Sequence, residues 1–434
     1  MKPIAVYSSQ TSKRLQYVLD WLFNERLGTG YTLITDEAAL KDLPFFIAYG
    51  DFFPNALSIP AVSLLWENEV KPHTIPLGVC GETPCLYDVN NPAFTLPFDM
   101  LASIFFLLSR YEEYSTPYTP DKHGRYPATE SLLYKNGWLR RPLLDEWVAY
   151  LVQLLQEKYK LAIETPVFTF QPTYDIDIAY SYRYKGFQRA LGGFLKDLSA
   201  GKLQGLQDRA QVILGNKQDP YDSYNFISEL HKQNNITPLY FILAALRPGP
   251  FDKNISPANP SMQELIKRLA YEGTIGVHPS YNTDKTGMLY EKEILEQASG
   301  EQITISRQHY IRLFLPQTYR SLIDEGIHAD YSMGYGTQLG FRAGTGSSFL
   351  WYDLQNEAVT KLRVYPFCFM DTTAHYEEKL SAQEAFEALR SMRDYLQKSG
   401  SMLITIFHNF SLGQDPEWDG WTEAYENFLS ETTL

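Results

Sequence analysis

From Pro166 to the C-terminus, short apolar runs alternate with stretches of helical periodicity, and this alternation restricts the fold more than any other feature of the chain. The runs are Val167–Phe170, Leu239–Leu243, Thr274–Val277, Ile303–Ile305, Ala329–Tyr331, Leu362–Phe367 and Met402–Phe407. Helical patterns such as Ser261–Tyr271, Tyr290–Ala298, Pro316–Glu325 and Ala382–Lys398 lie between them, with Gly326 as a C-cap. Strands that alternate with helices predict a parallel sheet. With about seven strands over 166–434, the expected fold class is α/β, a distorted or incomplete (β/α) barrel. Residues 1–165 carry a shorter alternation. Ile4–Tyr7, Tyr31–Ile34, Phe45–Ala48 and Val62–Leu65 read as strands, and Ser12–Arg26, Pro97–Glu113 and Leu143–Lys158 as helices. A small α/β domain of unreadable role is expected there.

The 434 residues are 44% hydrophobic and 21% charged, enough for a substantial core. A net charge of -13 argues against a nucleic-acid partner. The longest apolar block, Met100–Leu108, is about half the ~20 residues of a membrane span. With Asp99 before it, it reads as a buried helix, so no membrane span is expected. The three cysteines, Cys80, Cys85 and Cys368, form no disulfide framework, and MKPIAVYSSQ has no signal-peptide core. A cytoplasmic protein is expected, of unknown oligomeric state.

The segment Val167–Asp177 reads as a strand ending in two carboxylates. Residues i and i+2 of a strand share a side, so Asp175 and Asp177 converge. Barrels build their sites at this C-terminal edge. Adjacent like charges call for a cation or a shared proton. Other strand ends carry matching chemistry: His278 follows Val277, Ser306-Arg307-Gln308-His309 follows Ile305, Asp371 follows Met370, and His408 follows Phe407. One such histidine is ordinary structure. Three of the eight histidines at strand ends beside two aspartates point to a divalent metal, zinc or another first-row ion. The Gly340–Gly346 loop, which carries Arg342, offers close backbone N–H groups but lacks the spacing and lysine of a phosphate loop.

Thr173-Tyr174-Asp175-Ile176-Asp177, Gly276-Val277-His278-Pro279-Ser280-Tyr281, Phe341-Arg342-Ala343-Gly344, Asp371 and Ile406-Phe407-His408 occur in the order found in the polysaccharide deacetylase family, carbohydrate esterase family 4 with its NodB homology domain. The chain resembles that family over about 166–434. It is also similar to a bacterial subgroup with an extra N-terminal domain. The resemblance implies metal-dependent hydrolysis of an N- or O-acetyl group on a sugar or glycan precursor. It implies Asp175 as catalytic base, Asp177 and His278 as metal ligands, Arg342 and Asp371 as residues that orient the base, and His408 as general acid. The chain departs from the pattern at Asn282, where a second metal histidine is expected. Ala343-Gly344-Thr345 follows Arg342 where a proline is usual, and an aspartate with tryptophan after Asp371 is missing. His309 is the replacement ligand suggested by strand position.

Further expectations follow. Arg342 should partner Asp175, with Asp371 holding Arg342. N–H groups near Gly344 and Thr345 should face the oxyanion, and Tyr281, Tyr335 or Trp351 should line a sugar cleft. His123-Gly124-Arg125-Tyr126 reads as an interface or a turn, with a cleft wall as the alternative, and residues 1–165 should supply no metal ligand. Two other functions compete. A non-catalytic glycan-binding or scaffold protein is favoured by Asn282 and opposed by the surviving Asp175, Asp177, Arg342 and His408. A hydrolase of another C–N bond would differ only in substrate.

Overall fold

The computed structural model describes residues 3–164, 166–185 and 203–432. The expected boundary after residue 165 falls on a residue outside this set. In the N-terminal region, β1 (Ile4–Tyr7), β2 (Tyr31–Ile34), β3 (Ile47–Tyr49) and β4 (Leu57–Ile59) form a parallel sheet in the order β2-β1-β3-β4. A hairpin, β5 (Leu77–Cys80) with β6 (Thr83–Leu86), follows. The Met100–Leu108 helix is buried on every side. Asp99 caps it, accepting from Ala102 N at 2.9 Å, which satisfies one of the free donors of its first turn. Among the described residues, no helix is long and apolar enough to cross a membrane.

The second sheet contains β7 (Thr169–Ile176), β8 (Leu239–Ile242), β9 (Thr274–Val277), β10 (Ile305–Ser306), β11 (Ala329–Asp330), β12 (Phe349–Asp353), β13 (Ala358–Val364), β14 (Phe369–Met370) and β15 (Met402–His408). Its order is β12-β13-β11-β10-β9-β8-β7-β15-β14, and all pairs are parallel except β12 with β13. Strands β7 to β11 neighbour one another in sequence order, and the first of them pairs with the last strand, β15, as in a (β/α) barrel. No ladder among the described residues joins β14 to β12, so the barrel is open.

The alternation of strand side chains separates two cores. Leu239, Phe241, Ile404 and Ile406 point inward, to a small interior cluster with Tyr331, Phe367 and Met370. Tyr174, Ile176, Tyr240, Ile242, Ile275 and Val277 point outward to the helices. That outer core runs without a break into the N-terminal region, through residues such as Leu15, Trp21 and Leu107. The edge strand β12 is covered rather than exposed: Tyr17 Oη donates to Leu350 O at 2.8 Å, and the Trp21 indole N–H donates to Ser348 O at 3.2 Å.

The strand limits differ from the sequence reading in an instructive way. β7 starts two residues later than expected and ends at Ile176, one residue short of the expected Asp177, while Val167 is 83% exposed. Apolar character alone could not extend the strand across Pro172, Thr173 and Asp175. Tertiary pairing does: the Thr405 carbonyl, across from Pro172, accepts from the Thr173 hydroxyl at 2.6 Å. β12 was not among the expected strands, and the expected strand Val62–Leu65 is instead a short 3-10 helix over Ser63–Trp66.

Candidate metal centre

Register assembles the site. β7 lies between β15 and β8, and Asp175 stands opposite His408. His278 N donates to Ile242 O at 3.1 Å and Arg307 N to Val277 O at 3.0 Å, so the residues just past β9 and β10 reach the same level. The C-terminal edge thus brings together Asp175, Asp177, His278, Arg307, His309 and His408. A cavity of about 440 Å³ opens above them.

The three imidazoles share one plan. His278 Nδ1 lies 2.6 Å from the Arg307 carbonyl, which only accepts, so Nδ1 carries the proton and Nε2 is left for the site. His309 Nδ1 lies 3.2 Å from Asp252 Oδ1, and His408 Nδ1 lies 2.7 Å from Asp371 Oδ1. Asp371 also accepts from the His408 and Thr372 backbone N–H groups, which fixes its carboxylate. The Nε2 atoms all converge on Asp177: His278 at 3.1 Å from Oδ1, His309 at 3.4 Å and His408 at 3.5 Å from Oδ2. A fixed Nδ1 donor with a free Nε2 is how metal-ligating histidines are oriented.

Donors of Asp177, His278 and His309 lie within 4.8 Å of one another. Tetrahedral ligands at about 2.0–2.2 Å from zinc stand roughly 3.3–3.6 Å apart, close to the spacings seen. Asp177 Oδ1 is a buried oxygen without a hydrogen-bond partner, 3.1 Å from His278 Nε2. A buried carboxylate oxygen left this way has an unmet demand for positive charge. The residues present therefore fit a divalent ion. Without the ion, the same groups hold one another's charge. Burial pushes the Asp177 carboxyl up, but the His309 and His278 imidazoles outweigh it and hold it well below the usual range. Burial lowers the His309 imidazole, yet Asp177 and Asp252 raise it to about 9. Burial likewise opposes the His408 charge, and Asp371 with Asp177 carries it well above its ordinary value.

Arg342 is not where the sequence reading places it. Its guanidinium grips Glu113 at 2.9 and 2.6 Å, and its carbonyl accepts from Arg110. Burial would raise the Glu113 carboxyl, but Arg342 and Arg110 overcome it and lower it. Asp175 is instead held by Arg307, whose Nη1 donates to Asp175 Oδ1 at 2.8 Å and to Thr173 Oγ1 at 2.7 Å. Arg307 is fully buried, its guanidinium 4.3 Å from the Phe241 ring centre. Asp371 holds His408, not Arg342.

The Gly340–Gly346 loop is also displaced from its expected role. Gly344 N donates to Phe341 O, and Gly346 N and the Thr345 hydroxyl both donate to Asp145, each at 2.9 Å. Gly344 has φ 67°, and a Cβ there would stand 2.9 Å from Leu107. This loop anchors the N-terminal helices and presents no N–H to the cavity. Tyr335 and Trp351 are buried, against Arg342 and Tyr319 respectively. Phe251, Tyr310, Tyr376 and Phe410 line the cavity instead.

The His123 turn forms a cavity wall, with Lys122 and Arg125. Asp121 shapes it, accepting from the His123 and Arg125 N–H groups at 2.9 Å each. Arg125 Nη1 then reaches the Tyr310 carbonyl at 2.7 Å. Tyr310 and Ile311 have φ 58° and 53°, left-handed values that bulky and β-branched residues rarely adopt. This turn follows His309 directly. The sequence reading places Arg307 at a strand end and Arg125 in the wall turn but gives neither a role at the site, and it does not name Asp252. Arg307 occupies the same strand end as His309; Asp252 lies in a loop with no periodic signal.

A family of unknown function, DUF7033, matches residues 4–160. No curated protein matches the chain. Among solved structures, the chain is similar to a putative polysaccharide deacetylase from Mycobacterium smegmatis, at 14% identity and TM-score 0.39, over 62% of this chain and 85% of that one. A probable polysaccharide deacetylase from Pseudomonas aeruginosa PAO1 shows 14% identity and TM-score 0.38, over 61% and 84%. The catalytic domain of a peptidoglycan N-acetylglucosamine deacetylase from Eubacterium rectale shows 9% and 0.30, over 63% and 86%.

Proposed function

We propose that the protein is a metal-dependent hydrolase that removes acetyl groups from an acetylated sugar or glycan precursor. One observation carries this reading: three imidazoles, each with Nδ1 fixed by an acceptor, turn Nε2 toward one partly unsatisfied aspartate beside a second, arginine-held aspartate. A pure binding site has no use for that set. The ordered motifs of the resemblance select deacetylation among metal-assisted hydrolyses.

Asp177, His278 and His309 would hold the ion, zinc or another first-row metal. Bound there, it supplies Lewis acidity toward an acyl carbonyl and acidifies water at neutral pH. Asp175 is the general base. Arg307 on Oδ1 fixes its orientation and leaves Oδ2 to take the proton of the attacking water. His408, held protonated by Asp371, donates to the departing sugar nitrogen or oxygen. Arg307 acts by positioning Asp175 rather than by touching the acyl group.

The test is acetate release from a panel of N- and O-acetylated sugars, by protein stripped with chelator and then reloaded. Release that disappears on chelation and returns with metal supports the reading. Metal-loaded protein that releases no acetate but cleaves another amide would move the assignment to that bond. Protein that binds no metal and releases nothing would be a non-catalytic binder.

A further inference from the structure

Two cavity-lining cations have no assigned role in this chemistry. Lys122 and Lys253 both line the 440 Å³ cavity, and neither forms an ion pair with any described residue. Their backbones are fixed. Lys122 lies in the turn that Asp121 organises, pinned to the barrel by Arg125 on Tyr310 O and by Arg312 Nε on His123 O at 3.2 Å. Lys253 follows Asp252, whose carboxylate binds Gly249 N, Tyr281 N and His309 Nδ1. Of the other charged groups lining the cavity, Arg125 is paired with Asp121 and Asp175 with Arg307, while Asp177 faces the histidines and Glu377 lies on the Thr373–Glu377 segment. Both lysine side chains are exposed, so their ammonium groups reach solvent at the cavity and add positive charge beside Asp177 and Glu377 on a chain of net charge -13.

We propose that the cavity selects acetylated sugars that carry an anionic group, a phosphate or a carboxylate, held by Lys122 and Lys253. The inference rests on the deacetylase reading for its acetylated sugar, and on the lysines alone for its charge. An ammonium group recognises either anion as a point charge. The N-terminal region thereby contributes substrate recognition, and the barrel contributes the reaction.

The test compares neutral N-acetylglucosamine with its 1-phosphate, its 6-phosphate and its 6-carboxylate, on the metal-loaded full chain. Acetate release and calorimetric binding are both measured. The expected result is kcat/KM at least about tenfold higher for one or more charged forms, lost through KM as salt rises. Lys122→Ala with Lys253→Ala should bring the charged sugars down to the neutral level while metal content stays at wild type. The phosphate and carboxylate arms show which anion is meant. Equal turnover of charged and neutral sugars, or a double variant that keeps the preference, overturns the proposal. If no sugar releases acetate, binding decides: a charged preference that the lysine variants abolish upholds it, and equal or absent binding overturns it.

Discussion

Arg307 and Arg342 are both buried arginines near the end of a barrel strand or its loop, and they do opposite things. Arg307 faces into the barrel, where Asp175 is its one carboxylate partner among the described residues. Arg342 faces away, toward Glu113 of the N-terminal region. The first lies beneath the cavity floor, holds Asp175 there and bears on chemistry. The second ties the N-terminal helices to the barrel and bears on stability. The same residue type at similar burial therefore says nothing of role until its carboxylate is known. The wider contrast is the same: the floor is built by strand ends close in register, and the wall by a turn far away in sequence.

The largest expected effect comes from removing the wrong arginine. Arg342→Ala leaves Glu113 buried and partly unpaired, and should destabilise the protein by about 3–5 kcal/mol. Thermal unfolding would show this, with metal affinity per folded molecule unchanged. Arg307→Lys should instead leave metal binding intact and lower kcat on the order of 100-fold, since a lysine cannot hold Asp175 and Thr173 together in the same geometry. If Arg342→Ala were the variant that loses activity without loss of stability, the comparison would be reversed.

A smaller effect probes the wall. Arg125→Ala frees the Tyr310 carbonyl, and the left-handed turn after His309 loses its brace. Metal affinity should fall about 10- to 100-fold, as outer-shell changes do, with little change in thermal midpoint. Arg125→Lys should restore part of it. Titration calorimetry reads this directly, and an unchanged affinity would reduce Arg125 to a plain interface contact.

A last effect lies outside the site and is confined to acid pH. Burial lowers the His231 imidazole to about 4, and its Nε2 lies 2.8 Å from the Tyr174 hydroxyl. A group depressed in the folded state contributes stability above its unfolded pKa, near 6.5, and loses it as pH falls toward 4. Wild type should therefore lose about 3 kcal/mol over that window. His231→Gln should flatten the curve there, and a curve of unchanged slope would remove His231 as the cause.

Much of the floor was legible because strand ends carry it. Asp175, Asp177, His278, His309 and His408 each follow or close an apolar run, and parallel register brings such positions level. Asn282, the position that departs from the family pattern, lies on the exposed side of its loop. His309, from the next strand, stands beside Asp177. Arg342 was misplaced because its loop leaves the barrel after β11 to meet Glu113, a pairing across more than 200 residues that no local pattern encodes. The glycine loop misled for the same reason: its small residues admit Leu107 and Leu144 rather than an oxyanion. The wall turn was read as interface or turn, and it is also part of the cavity.

The central claim is that Asp177, His278 and His309 hold one divalent ion. The most direct measurement is metal stoichiometry and affinity, by plasma emission and competition titration, for wild type, His309→Ala and Asn282→Ala. The account expects one ion per chain in wild type and in Asn282→Ala, and a loss of at least about 100-fold in affinity in His309→Ala with the fold intact by circular dichroism. Equal binding by His309→Ala and wild type, or loss in Asn282→Ala instead, would contradict it.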